Sequence, residues 1–175
     1  DSLNCLFTSY PIGTGDVIFV DTGVYPVTKE LPVLISDRIK GSAGAPLKIY
    51  GSTNFAAGGA LLQGNGTANG IELQNTAYVE IYDLRVSQAQ NGIAGLNAMD
   101  IVLDGLELQN NRTNGLLLLN CGGVDVSRMR SWGNNRYGYY SSGSKGGEEI
   151  RQSTFWGNRL GAAWTDKGLS ISSSI

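Results

Sequence analysis

The sequence predicts an all-β fold, a single-stranded parallel β-helix with a short N-terminal cap. Three observations predict it. The first is a phrase that returns three times, as Asn69-Gly70-Ile71-Glu72-Leu73-Gln74-Asn75, Asn91-Gly92-Ile93-Ala94-Gly95-Leu96-Asn97 and Asn114-Gly115-Leu116-Leu117-Leu118-Leu119-Asn120, in steps of 22 and 23 residues. Self-similarity at this fixed period marks a solenoid. The second is the segment that follows each phrase: Val79-x-Ile81-x-x-Leu84-x-Val86 returns as Ile101-x-Leu103-x-x-Leu106-x-Leu108 and Val124-x-Val126-x-x-Met129-x-Ser131. Alternation with period two means strand with one face buried, and the skipped residue marks a corner. The third is the chemistry of the corners, which are Asn and Gly, residues that tolerate positive φ.

The elements follow in order across a single domain, 1–175. Residues 1–15 read as the cap, with Leu3, Leu6 and Phe7 as an apolar cluster over the first rung. Residues 16–68 carry the first rungs, and 69–160 the regular rungs of 22–24 residues. A worn fourth copy from Gly138 to Leu160 is held in register by Trp132-Gly133-Asn134 and Trp156-Gly157-Asn158. Residues 161–175 read as a partial last rung, expected to continue or to be covered by a partner. Leu103-x-x-Leu106-x-Leu108-x-x-Asn111 also fits a leucine-rich repeat, but that fold needs a helix-like return. Here the return is Asn-Gly and another short strand, with few helix formers.

Composition narrows the function. The chain has 175 residues, a net charge of −2, 25 Gly and no His, which argues against a general nucleic-acid binder. No run is long and apolar enough to span a membrane. There is no initiating Met or signal peptide, which reads as a mature product or an excised module. Cys5 and Cys121 are expected as free structural thiols, because a bridge would have to join the cap to the third repeat.

A resemblance then becomes specific. Gly15-Asp16-Val17-Ile18-Phe19-Val20-Asp21-Thr22-Gly23-Val24-Tyr25, then Gly41 to Gly51 with Gly44, Pro46 and Ile49, then the Asn-Gly rungs, resemble the secreted or surface right-handed parallel β-helix superfamily. It includes pectate lyases, chondroitinase-B-like and alginate lyases, and large bacterial surface proteins. The resemblance implies the right hand, an extracellular or cell-surface location, and polysaccharide along the outer face of one sheet. That sheet corresponds to 79–83, 101–105, 124–128 and 148–152. These motifs are architectural, and activity has to come from a site.

The outward positions of that sheet are Glu80, Tyr82, Asp104, Asp125, Ser127, Glu149 and Arg151. Stacked carboxylates suit calcium, so one reading is a calcium-assisted lyase with Glu80, Asp104, Asp125 and Arg151 as catalytic candidates and Asp104 and Asp125 as ligands. Lys145 is the alternative base. The other reading makes them solvated residues, with Arg85, Glu107 and Arg130 as a charge ladder on the second sheet. Asn69-Gly70-Ile71-Glu72 matches the opening of the alginate/chondroitin lyase motif, but no Lys-Ser pair follows and His is absent. The balance leans away from an enzyme; no cofactor is required, with calcium the one open possibility.

Charge is uneven. From 112 onward eight Lys/Arg face four Asp/Glu, against five and eleven before it. The basic half holds the glycan-binding candidates Trp132, Tyr137, Tyr139, Arg128, Arg151 and Trp156, because aromatics cover sugar rings and Arg pairs with uronate or sulfate. The alternative has Trp132 and Trp156 stacked as structure. The function expected is therefore a secreted or surface structural module that binds anionic polysaccharide, with other modules of a larger chain as partners. The alternatives are the lyase and a subunit stacking end to end into fibres through its last strand. The two Asn-x-Thr sequons, at Asn65 and Asn111, read as corner chemistry in a bacterial source.

Overall fold

The computed structural model describes residues 3–167 and 169–172. After helix α1 (Leu3–Ser9) the chain winds through six triplets of strands. The first is β1 (Val17–Phe19), β2 (Gly23–Val27) and β3 (Leu34–Ile35), and the second β4 (Leu47–Tyr50), β5 (Ala60–Gly64) and β6 (Ile71–Gln74). The third is β7 (Ala77–Tyr82), β8 (Leu84–Ser87) and β9 (Ile93–Leu96), and the fourth β10 (Met99–Asp104), β11 (Glu107–Gln109) and β12 (Leu116–Leu119). The fifth is β13 (Gly122–Ser127), β14 (Arg130–Trp132) and β15 (Tyr137–Ser142), and the sixth β16 (Glu149–Arg151), β17 (Thr154–Trp156) and β18 (Gly161–Thr165); β19 (Ser170–Ser172) opens another turn. The first members of the triplets, with β19, pair into sheet A, the second into sheet B and the third into sheet C. Every pairing between these strands is parallel. The expected parallel β-helix is therefore the fold.

The alternation read from the sequence is the cause of the core. Ile101 and Leu103 lie between Val79 and Ile81 on one side and Val124 and Val126 on the other, and all six are buried. No turn closes its own core; each covers the apolar face of the last. At the start, Leu3 and Phe7 of α1 join the core, and Asn4 donates from Nδ2 to Pro32 O at 2.8 Å. Residues 173–175, part of the expected partial last rung, lie outside the described residues, as does Gly168.

The skipped residues of the apolar pattern are one-residue corners between sheets A and B. Asp83, Gly105, Arg128 and Gln152 occupy them with φ of 51°, 69°, 49° and 48°. The asparagines divide into two kinds. The closing Asn75, Asn97 and Asn120 are left-handed, with φ of 53°, 54° and 55°, as expected. The opening Asn-Gly pairs are absent from the positive-φ residues, and a different cause places them there. Asn91 Nδ2 donates to Asn69 Oδ1 at 2.9 Å and Asn114 Nδ2 to Asn91 Oδ1 at 3.1 Å. They form an amide ladder along the axis. Gly115 follows because the next turn comes too close: a Cβ there would collide with the Ser131 hydroxyl and lie 2.7 Å from Gly138 O. A second ladder runs Asn111 to Asn134 to Asn158, at 2.9 and 2.8 Å.

Candidate glycan-binding surface

Sheet A carries the catalytic candidates on its outer face, but its register separates them into two columns. One runs Lys48, Glu80, Val102, Asp125, Glu149; the other runs Tyr50, Tyr82, Asp104, Ser127, Arg151. Asp104 and Asp125 are thus in different columns. Each carboxylate already has a cation. Lys48 Nζ lies 3.1 Å from Glu80, which also accepts from Tyr82 OH at 2.7 Å. Arg128 grips Asp104 with Nε at 2.7 Å and Nη2 at 2.6 Å, which holds that carboxyl below its usual range. Arg151 donates to Asp125. Burial pushes Asp83, at the corner beside this pair, the other way.

The stacked carboxylates do not converge into a calcium cage. Among the described residues no three His, Cys, Asp or Glu side chains converge. Asp125 Oδ1 is buried without a hydrogen-bond partner among them, yet one spare oxygen is far from the six to eight a calcium ion takes. Arg151 as a base would have to give up a proton that guanidinium keeps at physiological pH. The other candidate base, Lys145, is exposed on the loop between sheets C and A, off the outer face of sheet A.

The glycan-binding candidates scatter over three faces. Arg128 and Arg151 line an open cleft of about 300 Å³ on sheet A with Ser127, Gln152 and Ser172, but both are committed to carboxylates. Trp132 and Trp156 stack on sheet B at 4.8 Å and 8°, so each covers one face of the other. The same sheet carries the expected charge ladder, with Arg85 Nε 2.7 Å from Glu107 and Arg130 paired to its other oxygen. Tyr139 is a correction. It is 0% exposed because its position in β15 points inward, where its hydroxyl donates to the buried Glu148 at 2.7 Å and Ser141 donates to the same carboxylate at 2.8 Å. Burial, then that carboxylate, hold the Tyr139 phenol well above its ordinary value. A sugar cannot reach it. Tyr137, at the start of β15, is half-buried.

The corner between sheets B and C forms a surface the candidate residues did not anticipate. Three clefts share residues and run together along the axis. Lys29, Thr67 and Gln90 line the first, of about 230 Å³; Lys29, Gln90, Arg112 and Thr113 the second, of about 390 Å³; Gln90, Thr113, Asn114, Leu117, Arg136 and Tyr140 the third, of about 300 Å³. Arg112, Arg136 and Arg159 are exposed here. The ion pairs among the described residues involve Lys48, Arg85, Arg128, Arg130 and Arg151 and none of these three. The corner segments 88–92, 110–115, 133–136 and 157–160 contain no Asp or Glu. No ion pair among the described residues compensates their charge, which stands beside amides, hydroxyls and the half-buried apolar floor of sheet C; the carboxylate of the surface is Glu72, which lines the first cleft with Lys29 and accepts from Asn69 Nδ2 at 2.9 Å. The signal in the sequence was an arginine one or two positions after the corner asparagines Asn111, Asn134 and Asn158.

Comparison with known proteins agrees with this architecture. The family model described as "Periplasmic copper-binding protein (NosD)" matches residues 39–173, and the chain belongs to that right-handed β-helix family. It is thus an envelope or extracellular β-helix module. None of the curated proteins compared matches it. Among solved structures it is similar to a rhamnogalacturonan lyase, with a TM-score of 0.55 and 12% identity over 91% of this chain and 54% of that one. At that identity the likeness concerns the fold alone.

Copper, named in the family description, does not fit the donors present. Copper(II) favours imidazole and copper(I) thiolate and thioether, and the chain has no His. Cys5 is exposed on the cap and Cys121 buried about four turns away, or roughly 19 Å at the spacing of paired strands. The Cys121 thiol donates to Leu119 O at 3.5 Å, and burial raises its pKa, away from the thiolate. Met129 is enclosed in the core, which leaves Met99, half-buried at the start of β10, as a single thioether.

Proposed function

We propose that this β-helix is a structural module of the cell envelope that binds an anionic polysaccharide along the corner between sheets B and C. One observation carries the reading: Arg112 and Arg136 line adjoining clefts on successive turns and Arg159 is exposed on the turn after them, all three without ion-pair partners among the described residues. Guanidinium recognises carboxylate and sulfate through charge-assisted hydrogen bonds. The amides and hydroxyls between the arginines suit sugar hydroxyls. The arginines of sheet A are neutralised by their own carboxylates and are secondary in this reading. The module works as a binder, with no chemistry on the glycan.

The test is binding to alginate, polygalacturonate, chondroitin sulfate, hyaluronan and neutral dextran at several salt concentrations. The expected result is salt-sensitive binding to polyanions and none to dextran. Arg112→Gln with Arg136→Gln should weaken it about fivefold or more, on roughly 0.5 kcal/mol per exposed ion pair, while Arg128→Gln changes little. Absorbance from unsaturated uronate ends, followed in the same samples with and without calcium, should stay flat. Binding that ignores the double substitution would remove the groove from the account, and chelator-sensitive absorbance would restore the lyase.

A further inference from the structure

The cations of the groove have a repeat and an alternation. Asn135 N–H donates to Asn111 O and Arg159 N–H to Asn134 O, both at 3.0 Å; Arg112 N–H makes the equivalent bond to Ala89 O at 2.8 Å. Positions 112, 135 and 159 are therefore one column. Thr113 N–H donates to Gln90 O, Arg136 N–H to Thr113 O and Leu160 N–H to Arg136 O, at 2.7, 2.9 and 2.9 Å. Positions 90, 113, 136 and 160 are the column beside it. The arginines thus advance one turn at a time and alternate columns: Arg112 in the first, Arg136 in the second, Arg159 in the first again. Each step along the axis is about 4.8 Å, the spacing of paired strands, close to the length of one sugar in an extended 1→4-linked chain.

We propose that the groove reads the charge period of its ligand and takes an extended homopolyuronate ribbon, with one carboxylate per sugar and successive carboxylates on alternate edges. This rests on the binding reading above. A glycan with a carboxylate on every second sugar would leave alternate arginines facing neutral rings. Between the cations, Thr113 occupies the column of Arg136, and Asn135 the column of Arg112 and Arg159. Thr113 Oγ1 donates its proton to Gln90 O at 2.6 Å and so offers only its lone pairs, while the exposed Asn135 offers an amide, at the ring edge that carries no charge. Asn135 Oδ1 also accepts from Arg159 Nη1 at 3.2 Å, which steadies that guanidinium in its column. Single-stranded nucleic acid fits less well, since bases need open aromatic faces and Tyr140 is stacked under Trp164 at 4.5 Å and 10°.

The experiment compares homouronate hexamers with a hyaluronan hexasaccharide and a single-stranded oligonucleotide, at matched anion concentration, by calorimetry on the whole chain. The homouronates should bind about tenfold more tightly than hyaluronan (~1.4 kcal/mol). Arg159→Leu combined with Leu160→Arg moves one cation into the neighbouring column at constant net charge, between two exposed positions. It should abolish most of that preference, so that the two affinities converge; Arg159→Lys should keep the preference. Circular dichroism confirms that each variant is folded. Equal affinity per carboxylate, or a column exchange without effect, would show that net charge alone is read and overturn the period, while leaving the binding function standing. Absence of binding to every polyanion would overturn both, and tighter binding to the oligonucleotide would overturn the glycan as ligand.

Discussion

Asn134 holds three turns together. Its Nδ2 shares two N–H groups among Leu108 O at 3.1 Å, Ser131 Oγ at 3.1 Å and Asn158 Oδ1 at 2.8 Å, while its Oδ1 accepts from the backbone and side chain of Asn111 at 3.0 and 2.9 Å. It is 1% exposed, so water cannot replace these partners. Asn134→Ala is expected to cost roughly 2–4 kcal/mol, because several buried groups would each lose a partner at ~1–3 kcal/mol. A urea unfolding midpoint that barely moves would refute this. The sequence shows that Asn belongs at these positions but not why. Positive φ and amide stacking both favour Asn at a corner, and only the neighbouring turn tells them apart. Tyr139 was illegible for a related reason: its run Tyr137-Gly138-Tyr139-Tyr140 is apolar at nearly every position, so alternation does not say which ring faces in.

At the scale of the element, the corner between sheets A and B sets two carboxylates against each other. Hydrogen bonds from Arg128 lower the pKa of Asp104, so its contribution to stability is present above the unfolded carboxylate pKa and is lost as pH falls through the lower folded value. Burial raises the pKa of Asp83, so its ionisation costs stability as pH rises from the unfolded value through the folded one, and that cost persists at neutral pH. Asp83→Asn keeps a side chain that tolerates the left-handed corner and removes the charge. It should raise the midpoint of thermal unfolding at pH 7 and leave it unchanged below the carboxylate range; the same shift at both pH values would assign the effect to packing. The charge ladder Arg85–Glu107–Arg130 was legible in advance, because equal spacing in a solenoid means contact. The groove of Arg112, Arg136 and Arg159 was less so, since residue order does not reveal that these cations find no carboxylate.

For the whole molecule, repetition made the fold readable. A 22–24-residue period, alternating strands and small corners agree with one another, and each turn needs only its neighbours. Sites are harder to read, because they depend on which of three faces a corner aims at and on ion pairs between turns, 22 to 32 positions apart. The amide ladder has one more consequence, which concerns gene length. Since Asn91 and Asn114 occupy equivalent steps, residues 91–113 are one complete storey, and joining Gln90 to Asn114 should let β12 settle on β6 with the Asn69 amide meeting Asn114. The shortened chain would bring Arg85 beside Arg130 without Glu107 between them, so it should be less stable yet still show the strand signal in circular dichroism and unfold cooperatively. Removing 91–107 instead, a fraction of a storey, should yield a chain that does not refold. The protein can therefore change length only in whole storeys, as a staircase does.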